Sequence, residues 1–553
     1  MEKRTILAFI LSFLVLILWS YLFAPSKDQV PKKDESTEME APKKVSEAPE
    51  TPSIIHPAIS KAPVKTHTEL ISKANEKQIE IDTPLYRAVF TNNGPTIKSF
   101  SLKKYRKTTD PNSPSIDLIH LEKDMADFLI IGFDKTSGSQ SKKIIYQVDR
   151  QRIQLDPDSS PDNLIFQSMT PSGVSIKQTF RFYPDQYRID LGIDVINQSG
   201  EVITGAFVTD LKALPPQEKA SYYSYVGLIL LLDNELEEVK IKKTSEQKVL
   251  TGQISWMAYE DDFFISAVIP DQPVKASFKG RLLPSGILEG TYLAPSVSLN
   301  PSAQISSSYT LYLGPRELGI LKQLGKNLER AVTFGWTDII AKPLLYLLRF
   351  FNQYINNYGL SIILLTILIK ILFWPLTHKS YKSMKEMQKL QPRMAKMREK
   401  YKNDKAQLNK EMMALYKTYK VNPMGGCLPM IIQLPVFFAL FRILGSAIEL
   451  RQAPFMLWIN DLSAPDRLFN FPFSIPFMKP PYGIPVLTLL MGASMFIQQK
   501  MTPTPGDPTQ AKIMMFLPLI FTFMFINFPS GLVLYWLVNN ILSIGQQYRI
   551  HKG

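Results

Sequence analysis

Residues 357–377 read NYGLSIILLTILIKILFWPLT, and between Gly359 and Leu376 the one ionisable side chain is Lys370. A helix needs about 20 consecutive apolar residues to cross bilayer hydrocarbon, so the stretch reads as a membrane span carrying one charge. At mid-span that charge costs roughly 2.5–3.5 kcal/mol on insertion scales, and it calls for a reason. The bland reason is snorkelling, in which the lysine stem reaches the headgroups. Lys379, nine residues on, marks the nearer edge of the span. At 1.5 Å per residue it leaves Lys370 roughly 13 Å inside, beyond comfortable reach. The other reading is that Lys370 faces water inside the protein. Thr366 and Thr377, at spacings of four and seven, share its helical face and extend the polarity beyond one residue.

Charge and cysteine usage bound the rest. Much of the net charge of +14 lies between Lys379 and Lys420, directly after this span. Basic segments beside apolar runs report topology and contact with anionic lipid, and no nucleic-acid motif accompanies this one. A single cysteine, Cys427, excludes an intrachain disulfide and any multi-cysteine metal site. The five histidines are scattered, with no HExxH spacing, so no zinc site or other cofactor is expected.

Upstream, Lys3 and Arg4 precede an apolar run over residues 6–23. The run is long for a signal peptide, and Ala24 followed by Pro25 is a poor cleavage context. Residues 1–25 therefore read as an uncleaved anchor. Residues 26–78, rich in Pro, Lys, Glu and Ser, cannot bury enough apolar surface to order themselves and read as a periplasmic tether. Over residues 79–317 the period becomes two, as in LYRAVF at 85–90, with turn clusters such as Asn92-Asn93-Gly94-Pro95 between the runs. That texture predicts a large antiparallel β-sandwich. Within it Asp261-Asp262 suits a turn or cap better than paired catalytic acids, since adjacent strand residues face opposite ways.

Helical period returns in residues 318–356, where Leu344, Leu345, Leu347 and Leu348 alternate with Lys342 and Arg349. This predicts an amphipathic segment on the outer membrane surface; a helix packed only on the β-domain is the competitor. After Pro375, Met387, Leu390, Met394, Met397 and Tyr401 step by three and four, as do Leu408, Met412, Leu415 and Tyr419. Two such seams predict a cytoplasmic helical hairpin over 379–420, broken or kinked at Pro392. Its methionines suit either the hairpin's own packing or an adaptable contact surface. Apolar segments at 428–448, 483–499, 513–528 and 532–547 follow, and with 1–25 and 357–377 they give six spans. Arg549, His551 and Lys552 then place both termini inside.

The series ILIKILFWPLT, LQPRMAKMREKY, VNPMGGCLPMIIQLPVFFALF, LWINDLSAPD and NFPSGLVLYWLVNN closely resembles the YidC/Oxa/Alb family of membrane-protein insertases over residues 334–547. The anchor and β-domain are similar in arrangement to the Gram-negative form of that family. The resemblance implies an α+β membrane protein of the bacterial inner membrane, with a six-span helical region and a periplasmic sandwich like that of galactose mutarotase. It also implies a non-enzymatic insertase and chaperone with a hydrophilic groove open to the cytoplasm. Lys370 matches the family's groove arginine, keeping the charge but losing the planar fork. Thr366 and Tyr535 match substrate-contacting positions, and Gln433 matches a groove position. Asn539 and Ser543 join them, four and eight residues after Tyr535 on one face. On the hairpin, Met387, Met394, Met397, Met412, Lys396 and Arg398 are the expected contacts for ribosome or client. The implied partners are nascent membrane proteins, the ribosome, membrane lipid and the Sec translocon (SecYEG, SecDF), with no specific nucleic-acid sequence. Two other classes compete on the residues alone. An intramembrane lysine also suits a secondary transporter or channel, and the β-domain suits a membrane-anchored sugar-active enzyme.

Overall fold

The computed structural model describes residues 76–119, 121, 127–134, 144–216, 225–419, 421, 428–502 and 508–552. The expected anchor, all but the last residues of the tether, and Cys427 lie outside the described residues.

Period-two sequence becomes two sheets. Strand Arg188–Asn197 alternates half-buried and buried along its length, with Ile189, Leu191, Ile193 and Val195 inward. It pairs antiparallel with Val174–Phe182 on one side and Gln304–Pro315 on the other, inside a 14-stranded sheet. A five-stranded sheet packs on it, joined by Phe90, whose ring meets Phe180 and Phe182 edge-on at 5.3 and 5.7 Å. Such aromatic contacts between inner faces are the usual core of a sandwich. Among the described residues the pairing is antiparallel with one exception, Gln78–Asp82 against Arg152–Gln154. Asp261 serves the turn, as expected, its Oδ1 accepting from the amides of Phe263 and Phe264 at 2.8 and 2.6 Å.

Nine helices follow among the described residues: α1 (Leu318–Leu324), α2 (Asp338–Ile355), α3 (Tyr358–Leu372), α4 (Trp374–Lys400), α5 (Lys405–Thr418), α6 (Leu428–Ser446), α7 (Val486–Met501), α8 (Pro508–Phe525) and α9 (Ser530–Lys552). α2 buries Leu344, Leu345 and Leu348 against α3 and α6 and leaves Tyr346, Phe350 and Tyr354 exposed.

The sequence treats residues 357–377 as one span, and the structure corrects this. α3 stops at Leu372, and the chain turns 66° into α4. The cause is Pro375, which sits in the first turn of α4, where a missing N–H is tolerated, but which could not continue the ladder of α3. Lys370 therefore lies in the last turn of a helix about 22 Å long, and Thr377 belongs to the next helix. Among the described residues no single helix is long and apolar enough to cross a membrane, and α3 and α4 reach that length and composition only as a pair bent at their junction. Pro392, where a break or a kink was expected, does not end its helix. α4 runs through it without a break, because the ring lies on the solvent side, where the carbonyl it leaves unpaired can bond water.

The hairpin closes as its seams predict. Met387, Leu390 and Met394 are buried with Val421, and Met412, Leu415 and Tyr416 pack on them. Asp404 caps α5 by accepting from the Gln407 amide at 2.9 Å.

The helix ends gather in two groups. Asn357, capping α3, donates to the Phe455 carbonyl at 2.8 Å, and the Ser530 amide at the start of α9 donates to the Ala464 carbonyl at 2.7 Å. Asp466 accepts from the Leu487 amide in the first turn of α7. The segment between α6 and α7 thus ties together one end of α3, α6, α7 and α9. This is also the β-domain end, because Arg451 and Gln452 donate to the Arg106 carbonyl at 2.8 and 3.0 Å. At the other end Lys385 of α4 donates to the Ile550 carbonyl of α9 at 2.9 Å. α9 is the hub, packing on α3, α4, α6 and α7.

Candidate functional site

An otherwise apolar helix, α9, carries a polar face, and the expected residues assemble along it. Tyr535, Asn539 and Ser543 fall at intervals of four, which stacks them over about 12 Å. Lys370 reaches this face from α3 and donates to Ser543 Oγ at 2.6 Å, while that hydroxyl donates to the Asn539 carbonyl at 2.7 Å. Gln433 reaches it from α6, its amide donating to Tyr535 Oη at 3.0 Å.

The setting of Lys370 decides what it can do. Its side chain is 8 % exposed. Among the described residues its one hydrogen-bond partner is Ser543, and no carboxylate lies within salt-bridge distance. An ammonium has three donors, so a single hydroxyl leaves it short of partners. A buried charge normally comes paired, because desolvation costs more than one neutral hydrogen bond returns. Unpaired and nearly enclosed, this cation is poised to accept a negative or strongly dipolar partner.

Thr366 is placed differently from expectation. It is buried, but its hydroxyl donates back to the Ile362 carbonyl at 2.6 Å, so it lends no polarity to Lys370. Thr377 does contribute despite the bend: Gln546 of α9 donates to Thr377 Oγ1 at 3.0 Å. Gln546 and Gln547, both buried, and Asn540, which donates to Ser494 Oγ of α7 at 3.0 Å, extend the layer and escaped the sequence reading. Their signal was present as amides at 539, 540, 546 and 547 within an apolar run.

The polarity is one-sided. Towards the β-domain end the same bundle is filled by Phe437, Phe525, Phe528 and Trp536, with ring centroids 4.7–6.0 Å apart. Towards the hairpin end it carries Lys370, Ser543, Thr377 and the glutamines. A polar chain entering from the hairpin end would find partners, and further in it would meet packed rings.

On the hairpin the expected contact residues divide. Met387 and Met394 are enclosed in the seam, so they hold the hairpin together and present no surface, which corrects their expected role. Met412 packs on the same seam, Met397 and Arg398 are half-buried, and Lys396 is exposed.

Known proteins match the whole chain. The family model described as 60Kd inner membrane protein matches residues 350–553, and that of the YidC periplasmic domain matches residues 78–347. A membrane protein insertase YidC of Syntrophus aciditrophicus (strain SB) is 44 % identical over 559 residues, covering 100 % of both chains. One of Syntrophobacter fumaroxidans (strain DSM 10017 / MPOB) is 42 % identical over 560 residues, again covering 100 % of both. Among solved structures, the active YidC insertase crystal structure with the first transmembrane domain resolved aligns with a TM-score of 0.37 at 18 % identity, covering 86 % of this chain and 93 % of that one. With two family models laid end to end and identity above 40 % along its full length, the chain belongs to the YidC family.

Proposed function

We propose that the chain is a membrane protein insertase of the bacterial inner membrane, acting through the polar face of α9 and Lys370. Relatives that share its whole length carry that name, and the observation that supports the mechanism is the unpaired ammonium of Lys370 on Ser543. In this reading α3, α6, α7, α8 and α9, with the N-terminal anchor, make six spans with both termini in the cytoplasm. The short helices fit a locally thinned bilayer. A client's hydrophobic segment arrives by the cytoplasmic hairpin, from the ribosome or from the Sec translocon. Its short polar or acidic leading part moves onto Lys370, Asn539 and Gln433, where attraction to the ammonium is stronger than in bulk water. The apolar segment then partitions into lipid, and burial of its hydrocarbon drives the step. No nucleotide or metal takes part, and the β-domain, mutarotase-like in plan, has no catalytic role. The transporter reading has no support among these relatives.

Thr366 and Tyr535 are each 1 % exposed, so client contact at these two requires the packing around them to open. Gln433 and Asn539 are half-buried and present part of their surface without that opening. Insertion of a client with a short acidic leader tests the proposal: Lys370→Glu should block it while leaving the protein folded and in the membrane. Normal insertion by that variant would contradict it.

A further inference from the structure

The segment joining α6 to α7 carries aromatic side chains on its outside. Phe469, Phe473 and Phe477 are 66, 59 and 78 % exposed. A floppy loop would explain such exposure, but this loop is pinned by polar bonds. Arg467 donates to the carbonyls of Pro481 and Ile526, each at 2.8 Å. Asn527, just past α8, donates to the Phe477 carbonyl and accepts from the Lys479 amide, also at 2.8 Å. A small antiparallel pair, Leu468–Phe471 with Tyr482–Ile484, closes its base. Phe469 and Phe477 are both held at positive φ, 61° and 64°, a region bulky residues avoid. The backbone is thus fixed by hydrogen bonds in a form that turns rings outward, where hydrophobic collapse alone would turn them in.

We propose that this loop is a lipid anchor, seated at the headgroup–acyl boundary of the outer leaflet. Continuity argues for lipid as its occupant. The Phe477 ring lies 5.4 Å from that of Phe523 on α8, and Phe523 heads an exposed apolar stripe with Phe516, Leu519 and Ile520. The stripe follows helical spacing, and the loop extends it past the end of the helix without a polar gap. Lys479, exposed beside Phe477, stands where a lipid phosphate would meet it, as cations beside interfacial aromatics do. The anchor would fix the outer ends of α7 and α8 at one depth. That would steady the aromatic end of the bundle while the hairpin end opens.

The inference rests on α8 lying in the membrane, and its test separates the two claims. In the full chain with Cys427→Ser, an environment-sensitive fluorophore is attached in turn at Phe473→Cys, Phe477→Cys, Leu519→Cys and Met169→Cys. Met169, exposed on the β-domain, is the aqueous reference. Each protein is placed in single-copy nanodiscs containing lipids with a nitroxide near the headgroup end of the acyl chain. Labels at 473 and 477 should emit to the blue of the reference and be quenched several-fold more strongly. Water-like emission without quenching at both, with Leu519 quenched, would overturn the anchor and leave the span in place. Water-like emission at Leu519 as well would overturn both. A blue shift without nitroxide quenching would identify a protein cover and also overturn the lipid assignment.

Discussion

At the residue scale the ammonium of Lys370 stands buried with no carboxylate within salt-bridge distance among the described residues. Removing it should not unfold the bundle. Lys370→Met deletes a buried, unpaired charge, so thermal unfolding should be unchanged or slightly later. Insertion of an acidic-leader client should nevertheless fall by about tenfold or more, the effect of roughly 1.4 kcal/mol. Lys370→Arg should retain most activity, since the present contact with Ser543 uses one donor and no planar fork. A reconstituted insertion assay beside a melting curve separates the two effects. A different buried charge governs the β-domain. Glu260 accepts from Arg316 at 3.0 Å, yet burial pushes its carboxyl up to about 7, the nearby guanidinium opposing the rise. A carboxyl with a raised folded-state pKa contributes stability that is complete below its unfolded value and lost as pH rises through about 7. The β-domain should therefore lose at most about 3 kcal/mol between pH 4.5 and 8 from this group. Unfolding followed by the buried Trp256 should show that slope, and Glu260→Gln should flatten it.

At the element scale, periodic patterns were legible and bends were not. The alternation of Ile189, Leu191, Ile193 and Val195, the heptad-like steps from Met387 to Met394, and the cap at Asp404 each specify local structure by repetition or by one hydrogen bond. Pro375 and Pro392 look alike in sequence. One sits where the chain bends by 66° and the other lies within a continuous helix, because helix position and solvent access, set by the fold, decide what the lost N–H costs. The exposed aromatic loop after α6 was unreadable for a related reason. Its order comes from Arg467 and Asn527, whose partners are backbone groups far along the chain. The hairpin gives a prediction at this scale. Met394→Ala should cost about 2–4 kcal/mol of local stability and speed amide exchange across residues 387–419. The exposed Lys396→Glu should leave exchange unchanged while weakening attachment of ribosomes to proteoliposomes that carry the protein, as measured by co-sedimentation.

Across the whole molecule, family membership was legible from motifs, and the joint between its two parts was not. Arg349 of α2 bridges Glu317, at the close of the β-domain, at 3.0 Å and Glu449, after α6, at 3.6 Å. Arg451 lies over the rings of Phe263 and Phe264 at 5.7 and 5.8 Å. These residues come from distant points in sequence and carry no pattern of their own. Arg349→Met leaves Glu449 buried without its cation and should destabilise the joint by about 3 kcal/mol. Adding Glu449→Gln should recover part of that loss, giving a positive coupling in a double-mutant cycle. Spin-label distances between the β-domain and α9 should broaden in the single variant and narrow again in the double. Deletion of residues 78–310 should keep core insertion activity, since among the described residues the polar face of α9 has no hydrogen-bond partner in that domain.

The most direct test places a photocrosslinker in turn at Gln433, Asn539 and, as a control, Leu519 on the outer face of α8, with a ribosome-bound client stalled as its acidic leader emerges. Adducts to the leader should form at Gln433 and Asn539, fall away in the Lys370→Glu background, and be absent at Leu519. Leader adducts at Leu519 but not at Gln433 or Asn539, or adducts indifferent to the charge at position 370, would contradict a polar route past this lysine.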